Sequence, residues 1–238
     1  MSARAKKTFA KKTAAVLLAT AVLMAATLWL GTVLPGRWYY LTATLVVVES
    51  MVPFFARFEA RRPQARELAL VAALAALAAV SRIAFALIPW VKPIIGVIMV
   101  AGAAFGAETG FLVGALAALI SNFFFSQGPW TPWQMMAYGV GGLLAGLVFH
   151  GRLARCRPVP MTVFGCASVL LVVGPLLDAS TLFTTASVLT WPYVVAVFVA
   201  GLPANATLAV ATGVTLLLVG RPLMGKLDRL RVKYGLLR

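Results

Sequence analysis

The sequence is poor in the residues on which enzymes and metal sites most often depend. Its 238 residues include six acidic side chains, one histidine and two cysteines. Cys156 and Cys166 have no spacing typical of a metal or redox site. His150, at the predicted end of a helix, has no carboxylate or serine at a recognisable spacing, so it forms no catalytic constellation. The sequence also lacks a GxxxxGK[ST] phosphate loop, so any ATP-derived energy would have to come from partners.

What the sequence has in excess is apolar residues. They make up 62% of the chain and charged residues 11%, against about half and a quarter in soluble domains. We therefore expect an all-α polytopic membrane protein embedded in a lipid bilayer. Eight apolar segments are candidates for crossing it: 14–34, 38–56, 67–88, 93–107, 110–126, 132–149, 161–178 and 203–220.

The basic residues separate these apolar segments instead of forming one patch. All but three of the 21 lysines and arginines fall on one side if the chain crosses eight times from a cytoplasmic N-terminus. The exceptions are Arg37, Arg82 and Lys92. The positive-inside rule therefore favours eight crossings with both termini in the cytoplasm, and it argues against a nucleic-acid partner.

Residues 187–200 are apolar enough to insert, but a ninth crossing would place the basic C-terminal tail outside. Pro192 and Pro203 bracket the segment. We therefore predict a re-entrant or interfacial helix near 187–200, which a protein tolerates where the backbone is buried or lines a wet cavity.

The segment 121–136 combines tryptophans, prolines and uncharged polar side chains between two apolar runs. Trp130 and Trp133 suit a membrane interface. Asn122, Gln127 and Gln134 supply neutral donors and acceptors, which suit a neutral organic solute and not an ion pore. We expect an outward cavity lined by the loop after Ile88 and by residues 122–134 and 178–205, with Trp90 and Trp191 as further flat apolar contacts.

Four further polar residues lie within or near the predicted outer half of the membrane. Arg82 could pair with Glu49, meet an anionic group of the solute, or snorkel outward. Asp178 is a candidate ligand contact, with capping or solvation of a loop as the alternative. Asn205 is a comparable candidate, and its alternative is a helix N-cap.

Several stretches match a known family in order. They are the Ala-rich helix at 66–93, the helix pair at 99–125, the loop and helix at 128–146, and the tail at 200–230. Over about residues 66–235 the chain resembles the substrate-binding S component of an energy-coupling factor (ECF) vitamin transporter. The run Gly-Pro-Trp-Thr-Pro-Trp-Gln-Met from Gly128 is the most specific of these matches.

The resemblance implies a protein that captures a vitamin or its precursor from outside, in a bacterial cell membrane. It also implies a transmembrane T subunit and two ATPases as partners. Family members use an Ala-xxx-Ala face on the first core helix for docking on the T subunit; packing within the chain is the alternative use of that face. The corresponding residues here are Ala69, Ala72, Ala73, Ala76 and Ala79.

The loop at 128–135 is similar to cobalamin-related S components, so a cobalamin-like solute is favoured, with riboflavin and a queuosine precursor as alternatives. Residues 63–238 would form the six-helix binding core. Residues 1–62 form two additional helices and a basic linker, which departs from the family pattern. We expect neither catalysis nor a cofactor. A membrane enzyme acting on a lipid or isoprenoid is the competing hypothesis, although its clustered acids or histidines are missing.

Overall fold

The structure is a computed structural model that describes residues 3–33, 39–61, 63–151, 157–186 and 188–234. Cys156, Arg37 and several basic residues of the predicted inner segments lie outside those ranges. The described residues form helices without any strand. In chain order the helices are α1 (Ala3–Val33), α2 (Tyr39–Ala60), α3 (Ala65–Ala84), α4 (Ile94–Phe105), α5 (Ala107–Phe125), α6 (Thr131–Phe149), α7 (Pro158–Ser168), α8 (Gly174–Thr185), α9 (Trp191–Thr215) and α10 (Arg221–Tyr234).

The prediction of an all-α polytopic membrane protein is confirmed. Six helical runs in the described ranges are long and apolar enough to cross a bilayer, including Pro158–Thr185 and Trp191–Lys233. The two remaining predicted crossings correspond to α4, with 12 residues, and α6, with 19. All twelve residues of α4 are buried. At 1.5 Å per residue α4 is about 18 Å long, too short to span the hydrocarbon core, and its neighbours shield it from lipid.

Two long helical runs contain a π-helical turn that ends two residues before a proline. Val169–Val173 joins α7 to α8 ahead of Pro175, and Leu216–Gly220 joins α9 to α10 ahead of Pro222. A proline lacks the N–H that an α-helix would use and its ring crowds the carbonyl of the preceding turn, so the wider π turn lets the helix continue.

The re-entrant alternative predicted near 187–200 is wrong, whereas the interfacial alternative stays a prediction. Residues 191–200 are the first turns of α9, which runs on through Pro203 without a break. Pro192 occupies the first turn, where the missing N–H is not needed. Pro203 is accommodated inside the helix, as prolines often are in membrane helices. Residues 191–200 therefore add no ninth crossing, because they share one helix with the segment at 203–220.

Glycines allow α4, α5 and α6 to pack backbone against backbone. A Cβ added at Gly110 or Gly102 would meet the carbonyl oxygen of Gly142, and one at Gly142 would meet that of Gly110. The hydrophobic effect does not drive helices together in lipid, so the van der Waals contacts of such close approach stabilise their packing instead. The four-residue spacing of Gly110 and Gly114 in α5, and of Gly142 and Gly146 in α6, thus serves helix packing.

The α1–α2 hairpin packs on the core through α2. The ring of Phe54 stacks on that of Phe111 in α5, with centroids 3.9 Å apart. Near the last turn of α2, Arg57 and Arg61 form ion pairs of 2.9 and 2.7 Å with Glu108. The extension is therefore fixed to α5 at two depths, and α1 packs on α2.

Loops and helix ends that are distant in sequence meet at one end of the bundle. There the starts of α2, α6 and α9 lie beside the ends of α3, α5 and α8, as contacts such as Trp133 with Thr44 and Thr185 with Tyr193 show. We call this the tryptophan end, since Trp90, Trp130, Trp133 and Trp191 lie in or beside its loops. The opposite end, with Arg57, Arg61 and α10, is called the basic end.

Candidate functional site at the tryptophan end

Arg82, in the last turn of α3, anchors a buried polar cluster near the tryptophan end. Its Nη1 donates to Ser121 Oγ at 2.7 Å and to Asn122 Oδ1 at 2.8 Å. Its guanidinium lies 4.5 Å from the ring centroid of Phe125 and 5.8 Å from that of Tyr138. An arginine in a membrane helix costs about 2.5–3.5 kcal/mol on insertion scales. These contacts to α5 and α6 offset part of that cost.

Asn122 is the centre of this cluster, and its side chain is fully buried. Its Nδ2 donates to Thr131 Oγ1 at 3.1 Å and to Gln134 Oε1 at 2.9 Å. Thr131 in turn donates to Gln127 Oε1 at 2.9 Å. The sequence-predicted residues Arg82, Asn122, Gln127 and Gln134 are therefore brought together. Within this arrangement Asn122 holds the others in place, while the half-buried Gln134 and the exposed Gln127 retain open surface.

The predicted pairing of Arg82 with Glu49 does not occur. Glu49 lies in α2, and its Oε1 accepts a hydrogen bond of 2.7 Å from Thr27 in α1. The reason is the side of the core on which the hairpin docks. α2 packs on α5, α6 and α8, whereas Arg82 faces α5 from α3.

Lys92 is a second cation beside the same aromatic ring. Its Nζ lies 5.5 Å from the centroid of Phe125 and donates to the carbonyl oxygens of Phe85, Ala86 and Ile88. Burial, and then the positive charge of Arg82, lower the pKa of Lys92. Lys92 thereby ties the 85–93 loop to the end of α3 and adds positive charge to the site.

Two loop residues beside this cluster adopt left-handed backbone conformations. Trp90 has φ 57° and Ser126 has φ 75°. Such conformations cost about 1–2 kcal/mol for residues other than glycine. Ser126 directly follows Phe125, and Trp90 lies two residues before Lys92, whose Nζ faces the Phe125 ring. Strained backbone of this kind tends to concentrate at ligand sites.

The four predicted tryptophans differ in their surroundings. Trp133 is buried, donates from Nε1 to Thr44 Oγ1 at 3.2 Å, and stacks on Phe183 at 5.3 Å. It therefore joins α2, α6 and α8. Trp90, Trp130 and Trp191 are 58%, 39% and 77% exposed, so their rings have open surface at the mouth of the bundle.

Asp178 and Asn205 form a second buried polar pair, between α8 and α9. Asn205 Nδ2 donates to Asp178 Oδ2 at 2.7 Å. The side chains fit because both helices carry glycine opposite them. A Cβ at Gly201 would collide with the Asp178 carboxylate, and one at Gly174 with the Asn205 amide. Asn205 lies well inside α9, so the N-cap alternative is wrong.

A cavity of about 400 Å³ opens at the tryptophan end and is lined by Tyr40, Pro129, Phe183, Thr184 and Ala186. Four of these residues fall in the segments predicted to line an outward cavity. Tyr40 comes from the extension and was not predicted, nor was Thr44, the partner of Trp133. Their sequence signal is weak, because a tyrosine and a threonine at the start of an apolar helix also suit a lipid interface.

The alanines of α3 lie mostly on an open face. Ala69, Ala72, Ala73 and Ala76 are exposed, whereas Ala79 is buried. In the described chain, packing within the protein therefore does not account for the first four, and the face is free for another membrane helix.

Comparison with known families identifies the family to which this helical chain is similar. Residues 63–229 match the family described as ECF-type riboflavin transporter, S component. The chain belongs to this family of S components. The match begins just before α3 and ends in α10, so α1 and α2 precede it. Neither curated proteins nor solved structures gave a match.

As an ECF S component, the chain is a membrane transport subunit that binds substrate, and not an enzyme. Membership also implies that it works with T and ATPase subunits on a vitamin-like substrate. The Ala-rich helix and the Trp130–Trp133 loop, from which this resemblance was inferred, both fall inside the matched range.

Proposed function

We propose that this S component captures a flavin-like heterocycle at its tryptophan end and delivers it to an ECF importer. The observation that carries the proposal is the buried Arg82–Asn122–Gln134 hydrogen-bond chain, which lies within the residues of the family match. The family's name favours riboflavin as the solute. The cobalamin-like solute expected from the sequence stays an alternative prediction.

The dimensions and chemistry of the tryptophan end support a solute of moderate size. Drug-sized ligands occupy pockets of about 300–1,000 Å³, and the cavity of about 400 Å³ lies near the lower limit. It suits a tricyclic ring better than a corrinoid macrocycle. Exposed rings such as Trp130 offer flat apolar surface, and the half-buried Gln134 offers hydrogen-bonding groups for orientation.

We further propose that the tryptophan end faces the exterior and that both termini are cytoplasmic. Aromatic residues gather at one end and basic residues at the other, as the positive-inside rule expects. Cysteine labelling from outside tests this orientation. A cysteine at Gln127, in a chain whose Cys156 and Cys166 are replaced by serine, should react with an impermeant reagent in intact cells. Reaction only after lysis would contradict the orientation.

The exposed alanines of α3 support docking of the T subunit on that face. Small residues let two membrane helices approach closely, and Ala72 and Ala76 are one turn apart on the open side. The two ATPases would reach the S component through the T subunit. The hairpin α1–α2 packs on α5, α6 and α8, so it leaves the exposed alanines of α3 uncovered.

A fluorescence titration tests solute capture. Riboflavin emission should be quenched on binding to the detergent-purified chain. Trp130→Ala and Gln134→Ala should each weaken binding about tenfold, a loss of about 1.4 kcal/mol. Trp29→Ala, which alters an exposed tryptophan on α1, is the matched control. Cobalamin is titrated in parallel. Unchanged affinity in both site variants would contradict their roles, and tight binding of cobalamin alone would overturn the choice of a flavin.

A further inference from the structure

Two cations at the tryptophan end share one aromatic ring and have no acidic partner. Arg82 and Lys92 both lie over Phe125, at 4.5 and 5.5 Å from its centroid. Neither forms an ion pair with any carboxylate side chain in the described chain. Burial and the neighbouring charge of Arg82 lower the pKa of Lys92, as expected for two uncompensated cations.

The chain's own acidic side chains cannot supply the missing charge in this arrangement. There are six of them, and all lie in described residues. Glu49 accepts from Thr27 inside the hairpin, Glu108 pairs with Arg57 and Arg61, and Asp178 bonds Asn205. The other three lie near the basic end, in α2, α3 and α10: Glu59, Glu67 and Asp228.

Neutral acceptors orient the two cations without neutralising them. Lys92 is bound by carbonyl groups beyond the end of α3, and Arg82 Nη1 by a hydroxyl and an amide. The ends of α3 and α5 contribute only about half a negative charge each. Arg82 is only 8% exposed, and its buried Nε atom has no hydrogen-bond partner.

We propose that Arg82 and Lys92 bind an oxyanion, a phosphate or carboxylate group, beside Phe125. The inference rests on the proposed function in one respect, since the oxyanion is taken first to be part of the captured solute. Arginine offers planar N–H donors and lysine a mobile point charge, the pair of groups that commonly binds phosphate. A lipid headgroup presents the same chemistry, so the test must separate these two sources.

A matched pair of solutes measures the contribution of the anion. Riboflavin and riboflavin 5′-phosphate differ only in the phosphate, and both are titrated into the full chain in lipid-free detergent. The variants are Arg82→Gln and Lys92→Gln, with Lys226→Gln on the exposed side of α10 as control. The preference for the phosphate ester over riboflavin should fall about tenfold or more in each site variant, because a charge-assisted hydrogen bond is lost. It should be unchanged in the control.

The second arm of the experiment measures which lipid the variants retain. The same variants are incubated with vesicles of phosphatidylglycerol or phosphatidylcholine, repurified, and examined by native mass spectrometry. Selective loss of phosphatidylglycerol from both site variants, without a change in flavin preference, would support the oxyanion site and identify a headgroup as its source. If neither flavin preference nor lipid retention changes, the oxyanion site is overturned.

The controls keep this inference separate from the proposed function. If Arg82→Gln unfolds because Ser121 and Asn122 lose their donor, Lys92→Gln carries the test, since Lys92 bonds neither of them. If the wild-type chain binds riboflavin and neither arm responds, only the oxyanion site fails. If it binds neither flavin, flavin capture fails, and the lipid arm still decides whether the cations bind an oxyanion.

Discussion

Arg82 Nη1 lies 2.8 Å from Asn122 Oδ1, so a cation at the end of α3 is bound by an amide at the end of α5. The same amide donates to Gln134 at the start of α6. Three helices are thus joined by one buried side chain. The loops after α3 and between α5 and α6 start from these helix ends.

The Asn122 contacts predict a graded response to substitution. Asn122→Ala should lower stability by about 2–4 kcal/mol, because Arg82 loses an acceptor and two partners lose a donor. Asn122→Asp should cost less, since a carboxylate accepts from Arg82 and the Gln134 amide can turn to donate. Thermal unfolding in detergent measures both. Equal destabilisation by the two variants would contradict a central role for the Arg82 contact.

Docking of the extension predicts that apolar packing outweighs its ion pairs. Arg57 and Arg61 are 41% and 49% exposed in their side chains, so Glu108→Gln should cost less than about 1 kcal/mol. Phe54→Ala removes the stacked contact with Phe111 and should cost about 1–3 kcal/mol. Protease protection of the α1–α2 hairpin compares the two variants. A larger effect of Glu108→Gln would reverse this ranking.

The open face of α3 predicts a binding defect without a folding defect. Ala72→Leu and Ala76→Leu should leave thermal stability and riboflavin affinity unchanged, because both side chains point out of the bundle. Each should reduce the amount of T subunit that copurifies, since a larger side chain keeps the two helices apart. Ala206→Leu, also exposed but on α9, is the matched control. Equal copurification of the T subunit by all variants would remove α3 as the docking face.

Much of this fold could be predicted from the sequence, because apolar segments and basic residues report directly on the membrane. The members of the candidate polar cluster, Arg82, Asn122, Gln127 and Gln134, could be singled out from the sequence, since polar side chains near a membrane are few and conspicuous. The partners of these residues were harder to predict. Pairing of Glu49 with Arg82 was one of three alternatives and rested on depth alone, yet depth does not specify the side of the core on which α2 docks.

The remaining error concerns the effect of proline. Pro192 and Pro203 were expected to break the chain near 187–200, but one lies in the first turn of α9 and the other within it. Proline breaks a helix where nothing compensates the lost hydrogen bond, and a membrane helix can compensate within its own backbone. Sequence alone does not distinguish these two outcomes.

Backbone contact between α5 and α6 predicts the sharpest difference between two glycine substitutions. A methyl group at Gly142 would meet the Gly110 carbonyl, whereas one at Gly225 in α10 would meet nothing within 4 Å. Gly142→Ala should therefore force the helices apart and cost at least about 2 kcal/mol, in the range of overpacked cores. Gly225→Ala should be neutral or stabilise by up to about 1 kcal/mol, because alanine favours the helix. Thermal unfolding of the two purified variants gives the comparison. Wild-type stability of Gly142→Ala would mean that α5 and α6 do not pack this closely.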